Sequence, residues 1–289
     1  MINEPRRAGA PRLTPAESTA VSALKSSSTA RRLPEPNKLV VGLLLALSAL
    51  AWLATGRLST ADMRLGLLTG LGSIDEMSSM PQMSMALGLF MATWIVMMVA
   101  MMFPAVSPVV VTFDRWVART GRSRAATLVF VAAYLIVWSA AGLLAYGALL
   151  ALQAWLPSDD GRAIRAGAVI LALAGAYQLT PLKYACLRHC RSPLALIAQH
   201  ADQLRGGLAG PVRVGVKHGL YCLGCCWSLV LVLGLLGMMN LAWMALVAVV
   251  ILLEKAAPRG VLISRLVGLS LLGVGILMAV WPDLVQTVM

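Results

Sequence analysis

The chain has 289 residues, of which 59% are hydrophobic and only 12% charged, and its formal net charge is +12. Soluble domains carry about a quarter of charged residues, so this composition excludes an ordinary soluble domain and indicates an integral membrane protein. The basic excess does not indicate nucleic-acid binding, because no basic stripe with interleaved aromatic residues is present.

The first 38 residues differ in kind from the rest of the chain. They contain five prolines, the serine run Ser26–Ser28 and seven Lys or Arg residues. This composition predicts a disordered basic N-terminal tail, residues 1–38, followed by a transmembrane helical domain, residues 39–289. The tail is not expected to be a secretory signal, because the first apolar run is too long for one.

Apolar runs of about 20 residues follow, the length that an α-helix needs to cross a bilayer. Inside a membrane only helices and closed barrels satisfy their backbone groups, so we predict an all-α polytopic bundle of about seven spans. The predicted spans lie near residues 39–55, 85–111, 126–151, 163–182, 213–236, 241–254 and 261–280. Pro104 and Pro108 are expected to kink the second span and to free backbone carbonyls toward the bundle.

The distribution of basic residues predicts the direction of the spans. With seven spans, the connections on alternate sides carry 20 and 4 Lys or Arg residues. The basic side is expected to be cytoplasmic, which places the N-terminus inside and the C-terminus outside.

All five cysteines and all three histidines lie between residues 186 and 226, around the connection between the fourth and fifth spans. Cys186 and Cys190 are four residues apart and share one face of a helix. At about 100° per residue, His218, Cys222 and Cys225 lie within about 60° of one another. Both motifs are predicted at the cytoplasmic ends of adjacent spans, so we expect them to converge.

Thiolates and imidazoles in such pairs are typical ligands of soft metal ions. We therefore predict a metal site for Cu(I), ahead of Zn, and Lys183, Arg188 and Arg191 are expected to lower the pKa of nearby thiols. The predicted ligands are Cys186, Cys190, Cys222, Cys225 and Cys226, with His218 or His189 completing the coordination. His200, in a polar connection, is expected to be solvated. The alternative is that the cysteines pack as small hydrophobic residues.

Methionines form a second candidate feature, in the second span. The residues concerned are Met97, Met98, Met101 and Met102, which form two pairs at helical spacing. A ladder of thioethers could pass Cu(I), and adaptable packing is the alternative. No carboxylate is predicted in the middle of a span, which disfavours a path for protons or hard cations.

Two further features concern packing. Gly215 and Gly219 form a pair of small residues one turn apart, which would let a neighbouring span approach His218 and Cys222 closely. Glu254 closes the sixth predicted span and is expected either to pair with a lysine, Lys183 or Lys217, or to be solvated.

Four segments resemble a bacterial family of domains of unknown function that is catalogued as predicted metal-binding integral membrane proteins. They are Trp94-x-x-Met97-Met98-x-Ala100-Met101-Met102-x-Pro104, Thr180-Pro181-Leu182-Lys183-x-x-Cys186-Leu187-x-x-Cys190-Arg191-x-Pro193, Cys222-x-Gly224-Cys225-Cys226-Trp227 and Glu254-Lys255. The resemblance covers roughly residues 85–260 and implies a multi-pass protein of the bacterial inner (plasma) membrane with a metal site. It implies no particular activity. Val230 stands where a methionine is expected.

The hypothesis that follows is an inner-membrane protein that binds a soft metal for transport, delivery or homeostasis. Its expected partners are the lipid bilayer and a metal-delivery or other membrane protein, with no nucleic acid. No catalytic residue set is predicted, since no hydrolase triad, P-loop or dinucleotide motif stands in a suitable context. The alternatives are a membrane thiol–disulfide oxidoreductase and a non-catalytic assembly subunit.

Overall fold

A computed structural model describes residues 38–58, 83–155, 160–200, 207–237 and 240–281. All of these residues belong to the unit that spans Asn37–Met289. The predicted tail lies outside the described residues apart from Lys38, which begins the first helix.

Every regular element in these ranges is a helix, which confirms the predicted all-α class. The elements are α1 (Lys38–Leu58), α2 (Met83–Arg119), α3 (Ala125–Trp155), α4 (Asp160–Gln178), α5 (Pro181–Cys190), α6 (Pro193–Gln199), α7 (Ala209–Leu236), α8 (Leu241–Ala256) and α9 (Gly260–Val280). Helix α7 packs against α3, α4, α5 and α8, while α2 packs against α1, α3 and α8. Helix α2 carries the four candidate methionines, and α7 carries three of the five cysteines.

Five of the described helices are long and apolar enough to cross a membrane, namely α1, α2, α3, α7 and α9. The fourth and sixth predicted spans correspond to α4 and α8, which are not among these five. The total of seven spans and the cytoplasmic N-terminus therefore stay predictions.

The fourth predicted span ends earlier than expected, because the chain starts a new helix at Pro181. The Thr180 side chain accepts a hydrogen bond from the Lys183 backbone N–H at 3.3 Å, which caps α5. Proline suits the first position of a helix, where its missing N–H costs nothing. As a separate helix, α5 can pack against α7.

Pro104 frees a backbone carbonyl of α2 as predicted, while the kink stays a prediction. Proline has no N–H to bond the carbonyl four residues earlier, which here is that of Ala100. This freed carbonyl accepts hydrogen bonds from Ser48 Oγ at 2.8 Å and from Trp52 Nε1 at 3.1 Å. The expectation of a carbonyl freed toward the bundle is confirmed. Through these hydrogen bonds, the Ala100 carbonyl ties α2 to α1.

Helices α3 and α7 touch at the predicted glycine pair. A Cβ placed on Gly215 would lie 2.5 Å from the Phe130 carbonyl oxygen, and one on Gly219 would lie 2.9 Å from Val137 Cβ. The absence of side chains at these two positions therefore allows the backbones to approach. The predicted close approach of a neighbouring helix is confirmed.

Gly215→Ala is expected to lower the free energy of unfolding by about 1–3 kcal/mol, because the new methyl group meets backbone that cannot turn away. The matched control is Gly234→Ala on the same helix, where a Cβ has nothing within 4 Å. That variant should be neutral or stabilised by up to about 1 kcal/mol, since alanine favours a helix. Thermal unfolding of both variants in detergent checks the difference, and equal midpoints would contradict it.

Candidate metal centre

The two cysteine motifs meet at Cys190 of α5 and Cys225 of α7. Their sulfur atoms lie 3.7 Å apart, and both side chains are buried. With metal–sulfur bonds of about 2.3 Å, two thiolates of one tetrahedral site stand about 3.8 Å apart. The predicted convergence of the motifs is confirmed at this pair, and its sulfur spacing suits two ligands of a single ion.

All three thiols of α7 lie within hydrogen-bonding distance of neighbouring groups. Cys225 Sγ and Cys226 Sγ both donate to the carbonyl oxygen of Cys222, at 3.1 Å and 2.8 Å. Cys222 Sγ itself lies 3.1 Å from the Tyr134 hydroxyl and 3.0 Å from Lys255 Nζ. The thiols of α7 are thus held in place by hydrogen bonds to neighbouring groups.

Cys186 lies at the half-buried edge of the same cluster. A Cβ placed on Gly224 of α7 would lie only 2.7 Å from Cys186 Sγ, so the missing side chain makes room for this sulfur. All five cysteines are free thiols, and Cys186 is the only one that is not fully buried. We call these five residues the thiol cluster.

Within the described ranges, no three His, Cys, Asp or Glu side chains are grouped as a ready-made metal site. Thiolates are ligands of soft metals such as Cu(I) and Zn²⁺. The arrangement therefore offers one closely spaced pair, with further sulfur nearby.

The predicted lowering of the thiol pKa by basic residues of α5 is wrong. Burial raises the pKa of the Cys186 thiol, and contact with Cys225 together with burial raises the pKa of the Cys190 thiol. The Lys183 ammonium is buried and turned away from the sulfurs, donating to Glu254 Oε2 at 2.7 Å and to Gln178 Oε1. The expected pairing of Glu254 with Lys183 is confirmed.

Arg191 is also used to hold helices together. Its guanidinium donates to the carbonyl oxygens of Glu254 at 3.1 Å and of Ala257 at 2.5 Å. Arg191 and Lys183 thus fasten α5, and with it Cys190, to the C-terminal end of α8. The cation that does contact a thiol, Lys255, lies on that same end of α8.

The candidate histidine ligands have different surroundings. His218 is buried, and its ring centroid lies 6.1 Å from that of Phe130 and 5.9 Å from that of Tyr134. Its Nδ1 has no hydrogen-bond partner. The ring of His189 stacks on Tyr221 with centroids 4.3 Å apart, and its Nδ1 lies 2.8 Å from the Ala185 carbonyl oxygen. His218 is therefore the histidine with an unused buried nitrogen.

The expectation that His200 is solvated is wrong. Its side chain is buried, with Nδ1 2.8 Å from the Leu196 carbonyl oxygen and Nε2 3.0 Å from Lys217 Nζ. The short helix α6 buries Leu196 and Ile197 and brings the residue that follows it inward.

The four methionines of α2 are buried side chains of the bundle. Met97, Met98, Met101 and Met102 belong to the same apolar cluster as Cys222, Cys225 and Cys226. Their burial suits packing, and a role in metal binding stays a prediction.

Three residues in contact with the thiol cluster were not predicted as part of it. Lys255 and Tyr134 contact Cys222, and Gly224 makes room for Cys186. Glu254-Lys255 and Gly224 stood inside recognised motifs, but nothing in the sequence marked Tyr134, a single tyrosine in an apolar helix.

The fold and the cluster define a helical protein whose described residues form five helices of membrane-spanning length and a thiol cluster between α5 and α7. A family model described as "PpoB2: Copper chaperone" matches residues 91–278, about two thirds of the chain. This chain belongs to that copper chaperone family. Searches of curated proteins and of solved structures found no match.

Proposed function

We propose that this protein is a membrane copper chaperone whose thiol cluster binds Cu(I) as cargo for delivery. Cys190 and Cys225 form the core of the binding site. Cys222 and Cys226 supply further sulfur, His218 or His189 completes the coordination, and Cys186 lies at the more exposed edge of the cluster.

The observation that carries the proposal is the 3.7 Å distance between the Cys190 and Cys225 sulfur atoms in a member of a copper chaperone family. Two helices distant in sequence bring these thiols together in a buried place. Soft thiolates suit Cu(I), and the family description favours copper over zinc. His218 lies one turn before Cys222 on α7, and its Nδ1 has no hydrogen-bond partner. This nitrogen is therefore available as a metal ligand.

The proposed setting is the bacterial inner membrane, crossed seven times, with the cluster on the cytoplasmic side. In this topology α4 and α8 are the remaining two spans, and α5 and α6 lie at the inner leaflet. The excess of basic residues in the connections on one side supports this direction.

Met97, Met98, Met101 and Met102 are the proposed relay between the cluster and the opposite side of the membrane. Their thioethers are buried within the bundle, in the apolar cluster that contains three of the cysteines. The thioether is a soft ligand of the kind that binds Cu(I).

Anaerobic titration of the purified, reduced protein tests the proposed function. We expect stoichiometric binding of Cu(I) in competition with a colorimetric chelator, and much weaker binding of Zn²⁺. The bound Cu(I) should then move to an added apo-protein with higher affinity. Absence of stoichiometric Cu(I) binding by the folded, fully reduced protein would refute the proposal.

A further inference from the structure

The five thiols differ in how far they are buried. Cys190, Cys222, Cys225 and Cys226 have exposed fractions of 7%, 0%, 1% and 1%, whereas Cys186 is only half-buried. Cys186 and Cys190 are one turn apart on α5, so the accessible sulfur of Cys186 and the buried sulfur of Cys190 lie on one face of this helix.

Gly224 lets Cys186 lie close to α7, beside the residue that carries one of the buried sulfurs. Because Gly224 has no side chain, Cys186 Sγ rests directly on the backbone of α7, at the residue before Cys225. Any larger residue at position 224 would push this sulfur away from the pair formed by Cys190 and Cys225. Gly224 is therefore needed both for the position of the Cys186 sulfur and for the packing of α5 against α7.

We propose that Cys186 is the receiving thiol, which takes Cu(I) from a soluble Cu(I)–thiolate carrier and passes it to Cys190 and Cys225. This inference rests on the proposed function, and it assigns the partner as a carrier that holds Cu(I) through thiolates. Four buried thiols cannot meet the sulfur atoms of another molecule, and one half-buried thiol can.

The transfer is a ligand exchange without oxidation or reduction. The Cys186 sulfur forms a bond to Cu(I) while one bond from Cu(I) to the carrier's sulfur breaks, and the Cys186 proton passes to the released carrier thiolate. Cys190 and Cys225 then replace the remaining carrier sulfur and Cys186 in the same way. Copper stays in the +1 state throughout, and each released thiolate takes up the proton of the thiol that replaces it.

The test compares Cys186→Ser with the wild type, using Cu(I)–glutathione as the donor to protein in detergent. We expect the initial rate of copper uptake to fall at least about tenfold, while the final copper content per chain is unchanged. An unchanged rate would overturn the inference, and so would a loss of final copper content, which would make Cys186 a resident ligand. Failure of the wild type itself to bind Cu(I) would instead refute the proposed function.

A second variant leaves every thiol in place. Gly224→Ala puts a methyl group against Cys186 Sγ, and Gly234→Ala on the same helix meets nothing within 4 Å. We expect slower uptake from Cu(I)–glutathione in the first variant and wild-type uptake in the second, and equal rates would overturn the inference. A membrane-impermeant maleimide should modify Cys186 before the other four thiols, and preferential modification of another cysteine would overturn it too.

Discussion

Cys225→Ala is expected to lower the affinity for Cu(I) by more than about 100-fold, because loss of outer-shell partners alone costs a metal site up to that factor. Cys225 is the residue of α7 whose sulfur faces a thiol of another helix, at 3.7 Å from Cys190. Its removal leaves Cys190 without the second ligand of the pair. Competition titration against a Cu(I) chelator measures the change, and Cys190→Ala should give a loss of similar size.

The matched control for this prediction is Ser228→Ala. Ser228 is also a small, fully buried residue of α7, and its hydroxyl has no hydrogen-bond partner. Its replacement removes a polar atom from the same helix without touching the cluster, so copper affinity should stay at the wild-type value. If Cys225→Ala and Ser228→Ala bind Cu(I) equally well, Cys225 is not a ligand.

Lys183→Met is expected to lower the free energy of unfolding by about 3–5 kcal/mol, because it leaves a buried carboxylate without its cation. The Lys183 and Glu254 side chains are 0% and 2% exposed and lie 2.7 Å apart. Replacement of Glu254 alone by glutamine should also destabilise the protein, since the buried ammonium loses its counter-charge. Unfolding in detergent by heat or denaturant measures both effects.

The double variant Lys183→Met/Glu254→Gln separates the stability of the pair from the cost of breaking it. Replacing both partners of a buried ion pair is often neutral, so the double variant should recover most of the stability lost in each single variant. Arg191 still fastens α5 to α8 through the backbone carbonyls, and copper binding should therefore persist. A double variant as unstable as Lys183→Met would contradict this account.

Much of the fold followed from local sequence patterns. Runs of apolar residues predicted helices in all seven places where the described part of the chain forms long helices, because hydropathy and length are properties of a continuous segment. Pro104 predicted a freed carbonyl, and the Gly215–Gly219 pair predicted a close helix contact. These features could also be predicted because the missing N–H of proline and the missing side chain of glycine are local properties of the chain. The predicted end of the fourth span was wrong because Thr180 caps a new helix that begins at Pro181, inside the apolar run.

The sequence by itself determined the apolar character of the long helices, the helical class and the identity of the thiols, since these depend on composition and spacing along the chain. Only the tertiary structure decided which groups meet them: Cys225 with Cys190, Tyr134 and Lys255 with Cys222, and Gly224 with Cys186. It also turned Lys183 and Arg191 away from the sulfurs and toward α8. Contacts between helices depend on their relative rotation and depth, and no spacing within a single helix records those quantities.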